Sequence, residues 1–349
     1  MSNPSLTWQP HSHKQLIAMS ELLTLFLPNH ICESLSAVRS FSRICGGSAA
    51  LAAAAAARLG IRTRLIAMAG TDPFSEAALK TLQRCGVHTD TVLTTDAAHI
   101  GKAFCCCSSR QLHWFYDRLY SADLLLQPEQ IEAEWFAASG VLHFSCGGLR
   151  SESSRLAHRT ALQYACTKNA VISFDFSTAP DLHNTPHLIK EMHGFLPLSH
   201  IIWCTETELP LLIGNRTPQS ALPKLTNGRT KLWIVEQADG SITLYTKSQQ
   251  LTRKPISTER HNLPGERSAF IGGFLYSMLL DHADPRLLSA MPTEILSRWA
   301  TFSALCAAYS RSGIGAAASF PTRAQLDLFL KRGIQERFSR QAQSQPPLS

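Results

Sequence analysis

Apolar positions along the chain fall into two recurring patterns. Short unbroken runs such as QLIAM, TRLIAMAG, GVLHFSC, AVISFDF, HIIWCTE, KLWIVEQ and SITLYT read as buried strands. Between them lie stretches with the three-to-four-residue spacing of amphipathic helices. GGSAALAAAAAARLG opens on two glycines and stops at Gly60, whereas DPFSEAALKTLQRCG starts with an Asp72 cap and Pro73 and ends at Gly86. SSRLAHRTALQYACTKN and two long helices after Gly265 complete the series. Strand–helix alternation of this kind predicts a mostly parallel sheet covered by helices on both faces. Two segments, about 34–44 and 100–116, instead alternate residue by residue. They predict a small half-exposed sheet projecting from the main domain.

Composition narrows the function. With 349 residues, 44% hydrophobic and 17% charged, the chain can bury a large core. Its net charge of +7 is scattered, and the densest basic stretch, Arg58, Arg62 and Arg64, surrounds a helix-to-strand turn. No aromatic-interleaved basic strip argues for nucleic acid. The ten cysteines form no CxxC pair, which suits a reducing cytoplasm. The polar first fifteen residues resemble no secretory signal, and no run is long enough for a membrane span. Residues 1–15 and 336–349 are expected to be disordered, leaving one domain over 16–335.

One stretch carries candidate chemistry. In HNLPGERSAFIGGF, a Pro264-Gly265 turn leads into an apolar helix whose first N–H groups form a ready anion site. Taken with the other motifs in order, the chain resembles the ribokinase-like (PfkB-type) carbohydrate kinases, closest to their fructokinase branch. LIAMSELLTLFLP is similar to their opening Gly-Glu strand, Gly46-Gly47 to their Gly-Gly helix, and GTDPFSEAALKTLQRCGV to their Gly-Asp-Asp-Pro-Phe-Gly segment. WFYDRLYSADLLL, VISFDFSTAPDL, TETELPLLIG, AFIGGF and SFPTRAQLDLFL follow in the family's order. The resemblance implies a three-layer α/β/α domain with a β-sheet lid, ATP and Mg as cofactors if the kinase reading holds, and a sugar hydroxyl as acceptor. Such lids often pair across a dimer. The aromatic load of Phe41, Phe104, Trp114, Phe115 and Tyr116 therefore predicts a homodimer through the lid.

The site positions depart from that pattern. The family's Gly-Ala-Gly-Asp anion hole and base align with Gly265, Glu266, Arg267 and Ser268. An unactivated serine cannot take the acceptor's proton, and a positioned base is typically worth about 10²–10⁴-fold. Glu266 brings negative charge where transferring charge must be stabilised, unless Arg267 pairs with it. His261 is the alternative base. On the sugar side, the family's aspartate aligns with Leu25 and its asparagine with Leu51. Asp175 is kept, but the positions after it hold Ser177 and Ala179. The family's sugar-facing arginine corresponds to Asp117 or Arg118. On the nucleotide side, Thr205 to Glu208 match Asn-x-x-Glu without the amide, and Gln237 takes the place of a glycine.

Other features have plainer readings. Cys105 and Cys107 share one strand face and Cys106 the other, so all three cannot hold one ion, and no metal site is assigned. His11 and His13 have no partner motif, Glu21 reads as an edge or turn residue, and Glu208 as a helix-start residue. Asp175 is either a working carboxylate or a turn cap. Two functions follow. The first is a kinase homologue that is silent or severely impaired and acts by binding a sugar-like or nucleoside ligand or a partner. The alternative is an active ATP-dependent sugar kinase with a divergent base and substrate.

Overall fold

The computed structural model describes residues 14–30, 34–107, 112–177, 185–226, 228–256, 264–311, 313 and 316–331. The first half of the chain contributes β1 (Gln15–Met19), β2 (Leu23–Pro28), β3 (Phe41–Gly46), α1 (Ser48–Arg58), β4 (Thr63–Gly70), α2 (Pro73–Arg84), β5 (Val87–His88), β6 (Val92–Thr95), β7 (Gly101–Cys107) and β8 (Leu112–Asp117). The middle supplies β9 (Ser139–Ser145), α3 (Glu152–Thr167), β10 (Val171–Asp175), α4 (Pro186–His193), β11 (Ile201–Thr205), α5 (Leu209–Ile213), α6 (Pro218–Leu225) and β12 (Leu232–Glu236). Last come β13 (Ile242–Tyr245), β14 (Gln250–Arg253), α7 (Glu266–Leu280), α8 (Pro285–Leu288) and α9 (Thr293–Arg311), with a further helix over 323–331.

The main sheet runs β14-β13-β12-β11-β10-β9-β1-β4-β5, with β6 also beside β4. Pairing is parallel from β5 through β12 and antiparallel only at the β12–β13–β14 edge. Strand side chains alternate between faces, and each face has its own core. Leu16, Ala18, Leu65 and Ala67 pack under α1, α7 and α9, while Ile17, Met19, Ile66 and Met68 face α3 and its neighbours. The expected ribokinase-like three-layer arrangement is therefore present.

Small residues let the first of these layers close tightly. Ala49 to Ala56 on α1 are buried, and Gly272 of α7 lies against them. A Cβ on Gly272 would come within 2.6 Å of the Ala52 carbonyl oxygen and of the Ala55 Cβ. Asp72 caps α2 by accepting from the Phe74 and Ser75 N–H groups at 2.9 and 3.1 Å. Its other carboxyl oxygen accepts from Ile100 N–H at 3.0 Å, fixing where the chain leaves for the second sheet.

That second sheet has the order β3-β2-β7-β8. It corrects the expected lid in two ways. Segment 34–44 is not extended throughout, because Leu35–Ala37 form a 3-10 turn and the strand begins at Phe41. Leu23–Pro28, read from the sequence as part of the opening strand, is a lid strand. The sequence gives no Gly or Pro between Met19 and Leu23 to mark that break. The aromatic load is also divided. Trp114 and Tyr116 lie on the inner face with Leu23, Leu25 and Ala103. Phe26, Phe41, Phe104 and Phe115 cluster on the outer face, with Phe26 and Phe104 stacked at 4.7 Å. Among the described residues, no helix is long and apolar enough to cross a membrane.

Candidate functional site

The carboxyl ends of β10, β11 and β12 meet the N-terminus of α7, the geometry in which parallel sheets present ligand sites. Gly265 caps α7 with φ +112°, and a Cβ there would lie 2.7 Å from the Ala316 Cα. Glycine is thus required at this turn by both conformation and space.

The next two residues are committed to ion pairs. Arg267 donates from Nη2 to Asp175 Oδ1 at 2.6 Å and from Nη1 to Glu236 Oε2 at 2.8 Å. Burial opposes its charge, but Asp175 and then Glu236 outweigh that penalty and hold its pKa well above the ordinary arginine value. Glu266 pairs with Arg311, whose Nε donates to Oε2 at 3.0 Å. The pairing with Arg267 that would have offset Glu266 is therefore not formed. The two side chains are consecutive on a helix and point to different partners, since residues one apart do not face each other. Asp175 is only 1% exposed and is an ion-pair partner of Arg267, and residues 178–184, which it would cap, lie outside the described residues. Ser268, at the base position, is buried in the first turn of α7. His261 and Ala179 lie outside the described residues.

Beside this network is a cleft of about 570 Å³, open mouth included. Trp203, Ile234, Ile242 and Phe270 form an apolar wall, and Arg253, Lys254, Glu236, Arg267 and Arg311 supply charge. Thr205, Glu208 and Gln237 do not line it. Glu208, the residue before α5, accepts from Thr205 N–H at 2.7 Å and Thr205 Oγ1 at 3.0 Å. Gln237 is spent in the β12–β13 turn, where its N–H donates to Ser241 O at 2.8 Å.

The sugar-side positions are apolar and close-packed. Leu25 sits on β2, on the inner lid face, and a Cβ on Gly46 would meet its Cγ at 2.5 Å. Leu51 is buried in α1, and Ser177 is half-buried after β10. Both candidates near the lid have protein partners. The guanidinium of Arg118 pairs with Asp123 and donates to Gly147 O at 3.0 Å, whereas Asp117 is exposed and meets Lys102 at 3.5 Å.

Glu21, read as an edge or turn residue, is instead a buried carboxylate at the centre of this region. It accepts from Ser48 N–H at 3.0 Å, Ser48 Oγ at 3.3 Å and Ser145 Oγ at 3.2 Å. Gly47, with φ +108°, sits directly over the Glu21 carbonyl, and a Cβ on Gly147 would collide with its carboxyl group. The signal was available: an acid within an apolar run, near a Gly-Gly helix start that can bind it. Among the described residues, no group of three or more His, Cys, Asp or Glu is placed to hold a metal.

Comparison with known proteins agrees with this architecture. The family model for pfkB family carbohydrate kinases matches residues 23–323. A probable fructokinase-2 of Arabidopsis thaliana is 25% identical over 319 residues, covering 90% of this chain and 95% of that protein. Fructokinase-2 of Solanum habrochaites is 25% identical over 324 residues, with 91% and 96% covered. Among solved structures, a fructokinase of Xylella fastidiosa with bound ATP superposes with a TM-score of 0.82 at 22% identity, covering 92% of this chain and 99% of that one. A Vibrio cholerae fructokinase double mutant bound to fructose, ADP and potassium gives 0.78 at 20% identity, with 91% and 98% covered. The chain belongs to the pfkB carbohydrate kinase family.

Proposed function

We propose that this member of the pfkB carbohydrate kinase family keeps the family's ligand-binding frame, takes a nucleotide beside α7, and transfers phosphate far more slowly than a kinase with an intact base. One observation carries the reading. The first turn of α7 holds Ser268 at the base position and Arg267 tied to Asp175 and Glu236, so the guanidinium's charge is already more than matched by two carboxylates. Phosphoryl transfer needs donors aimed at developing charge and a base on the acceptor hydroxyl. Here the strongest donor already has two carboxylate partners, and the acceptor's proton has no described recipient at Ser268.

ATP fits the cleft by its chemistry. The apolar wall of Trp203, Ile234, Ile242 and Phe270 suits a base, and Arg253 and Lys254 suit phosphates. Bound there, Mg-ATP would supply the transferable phosphoryl group. Magnesium fits less well, because Asp175 and Glu236 are engaged by Arg267 and Glu208 by Thr205. On the acceptor side, Leu25 and Leu51 replace polyol-binding side chains, which favours a less hydroxylated ligand than fructose.

A second reading, an active ATP-dependent sugar kinase, is favoured by the family match over 23–323 and by the fructokinase names of the relatives. It requires a base from elsewhere, and His261 is the candidate in the sequence. A coupled ATP–sugar assay with fructose and ribose, run beside nucleotide titration, separates the two. Nucleotide binding with turnover near background supports the first reading. Turnover of about one per second or faster, in the range ordinary for enzymes, overturns it. Loss of that rate in His261→Ala, with Ser268→Ala unaffected, would then place the base.

For assembly, we propose a homodimer through the outer lid face, where Phe26, Phe41, Phe104 and Phe115 form a continuous aromatic surface. The reading is supported by Phe115 being 57% exposed. A monomer mass by light scattering at micromolar concentration would exclude it.

A further inference from the structure

A second hollow lies on the other side of β2 and β3 from Leu25, and neither the kinase reading nor the relatives' names call for it. It encloses about 990 Å³, open mouth included, between the base of the lid, the ends of α1 and α2, and the segment 316–318. Its wall carries Arg43 on β3, Arg58 at the end of α1 and Arg84 at the end of α2. Among the described residues, no acidic residue lines it.

The three arginines are not equally occupied. Arg58 supports the fold, donating from Nε to Phe320 O at 3.2 Å and from Nη2 to Gln325 Oε1 at 3.3 Å. Arg43 is exposed and lies over the Phe74 ring at 5.7 Å, and Arg84 is exposed on the last turn of α2. Like charges gathered around a concave surface without a counter-charge raise the local positive potential and attract an anion. Most of the remaining lining, including Ala77, Ala78 and Phe74, is apolar and suits the carbon body of such a ligand, and Thr24 and Thr81 add two hydroxyls.

We propose that this hollow binds a small phosphate-bearing metabolite, its phosphate held by Arg43 and Arg84 and its carbon body against Phe74 and the α2 alanines. Guanidinium forks match phosphate geometry, and arginine is the residue most suited to such recognition. The site is separate from the cleft beside α7, with no lining residue in common, but a backbone hydrogen bond connects its wall to the turn before α7. Ala316 lines the hollow and donates its N–H to Pro264 O at 2.6 Å, immediately before the Gly265 turn. Thr24 lines it from the strand that carries Leu25 on its opposite face.

The test is isothermal titration of the full chain with inorganic phosphate and with glycerol 3-phosphate, which requires no phosphoryl transfer. The Arg43→Ala/Arg84→Ala variant removes two exposed side chains and leaves Arg58 to support the fold, with its melting curve as the check on folding. Lys80→Ala, at an exposed α2 lysine outside both hollows, serves as the control for a general loss of positive charge. The proposal expects binding to the unaltered chain, a loss of about tenfold or more in affinity in the double variant, and no change in Lys80→Ala. It fails if the unaltered chain binds neither probe at millimolar concentration, if the double variant binds as the parent does, or if Lys80→Ala weakens binding as much as the double variant does.

Discussion

Helix α7 contains two regions that obey different constraints. Along its body, Gly272 and Gly273 are fixed by neighbours: a Cβ on the first would strike the α1 backbone, and one on the second would lie 2.9 Å from Cys306 Sγ of α9. In its first turn, only Gly265 is required by space, while Glu266 and Arg267 are held by charged partners on other elements. The body is specified by volume and the turn by pairing. A body position therefore tolerates almost no substitution, whereas a turn position accepts new side chains wherever a partner exists. Volume thus holds the glycines of the body in place whatever side chains the first turn carries.

Acid should have the largest effect, and it acts on the scaffold. His143, His158 and His200 are buried, which pushes each imidazole down from its ordinary value of 6.5 to about 4. The unfolded chain then binds protons that the folded one refuses. Stability from these groups is complete above pH 6.5 and is lost as pH falls toward 4. Each imidazole accounts for about 3 kcal/mol over that interval. Urea midpoints at pH 7 and pH 4.5 should show a steep fall, and a flat profile would mean that these rings are solvated.

Gly272→Val comes next. Its side chain must displace α1 backbone, so a loss of about 3 kcal/mol or more is expected in urea denaturation, close to the upper range for overpacking. Arg267→Ala should cost less, about 2 kcal/mol, because it leaves the buried Asp175 carboxylate without its partner. If Arg267→Ala proves as damaging as Gly272→Val, the contrast between body and turn is wrong. Ser268→Asp should be the mildest, raising sugar phosphorylation by less than the 10²-fold that marks the low end of general-base catalysis. Glu266, Arg267, Leu25 and Leu51 still stand against phosphate and sugar. A coupled assay reaching turnover of about one per second in that variant would show that the base alone was missing.

Much of the fold was legible in the sequence, because most main-sheet strands are short apolar runs whose neighbours carry caps, as at Asp72 and Gly60, whereas the short or half-polar β5, β6 and β14 show no such run. The lid strand at Leu23–Pro28 was not legible, since its apolar residues continue those of β1 with no breaker between them. The positions of the candidate turn, Gly265 to Ser268, could be read from motif order. Their pairings could not. Arg267 meets Asp175 across 92 positions of sequence and Glu266 meets Arg311 across 45, and no local pattern encodes such distances. Glu21 falls between the two cases, visible as an acid in an apolar run but not as the acceptor for Ser48 and Ser145.

The alanine face of α1 has a thermodynamic side as well. Most side chains lose rotamer freedom when they are buried, up to roughly 2 kcal/mol for the longest, and alanine loses none. Ala49, Ala50 and Ala52 to Ala56 therefore pack closely against the sheet and Gly272 without any entropy lost from their side chains. Close contact and low ordering cost coincide in that layer. The first turn of α7, where long arginine and glutamate side chains must each be held in a single geometry, has the opposite balance.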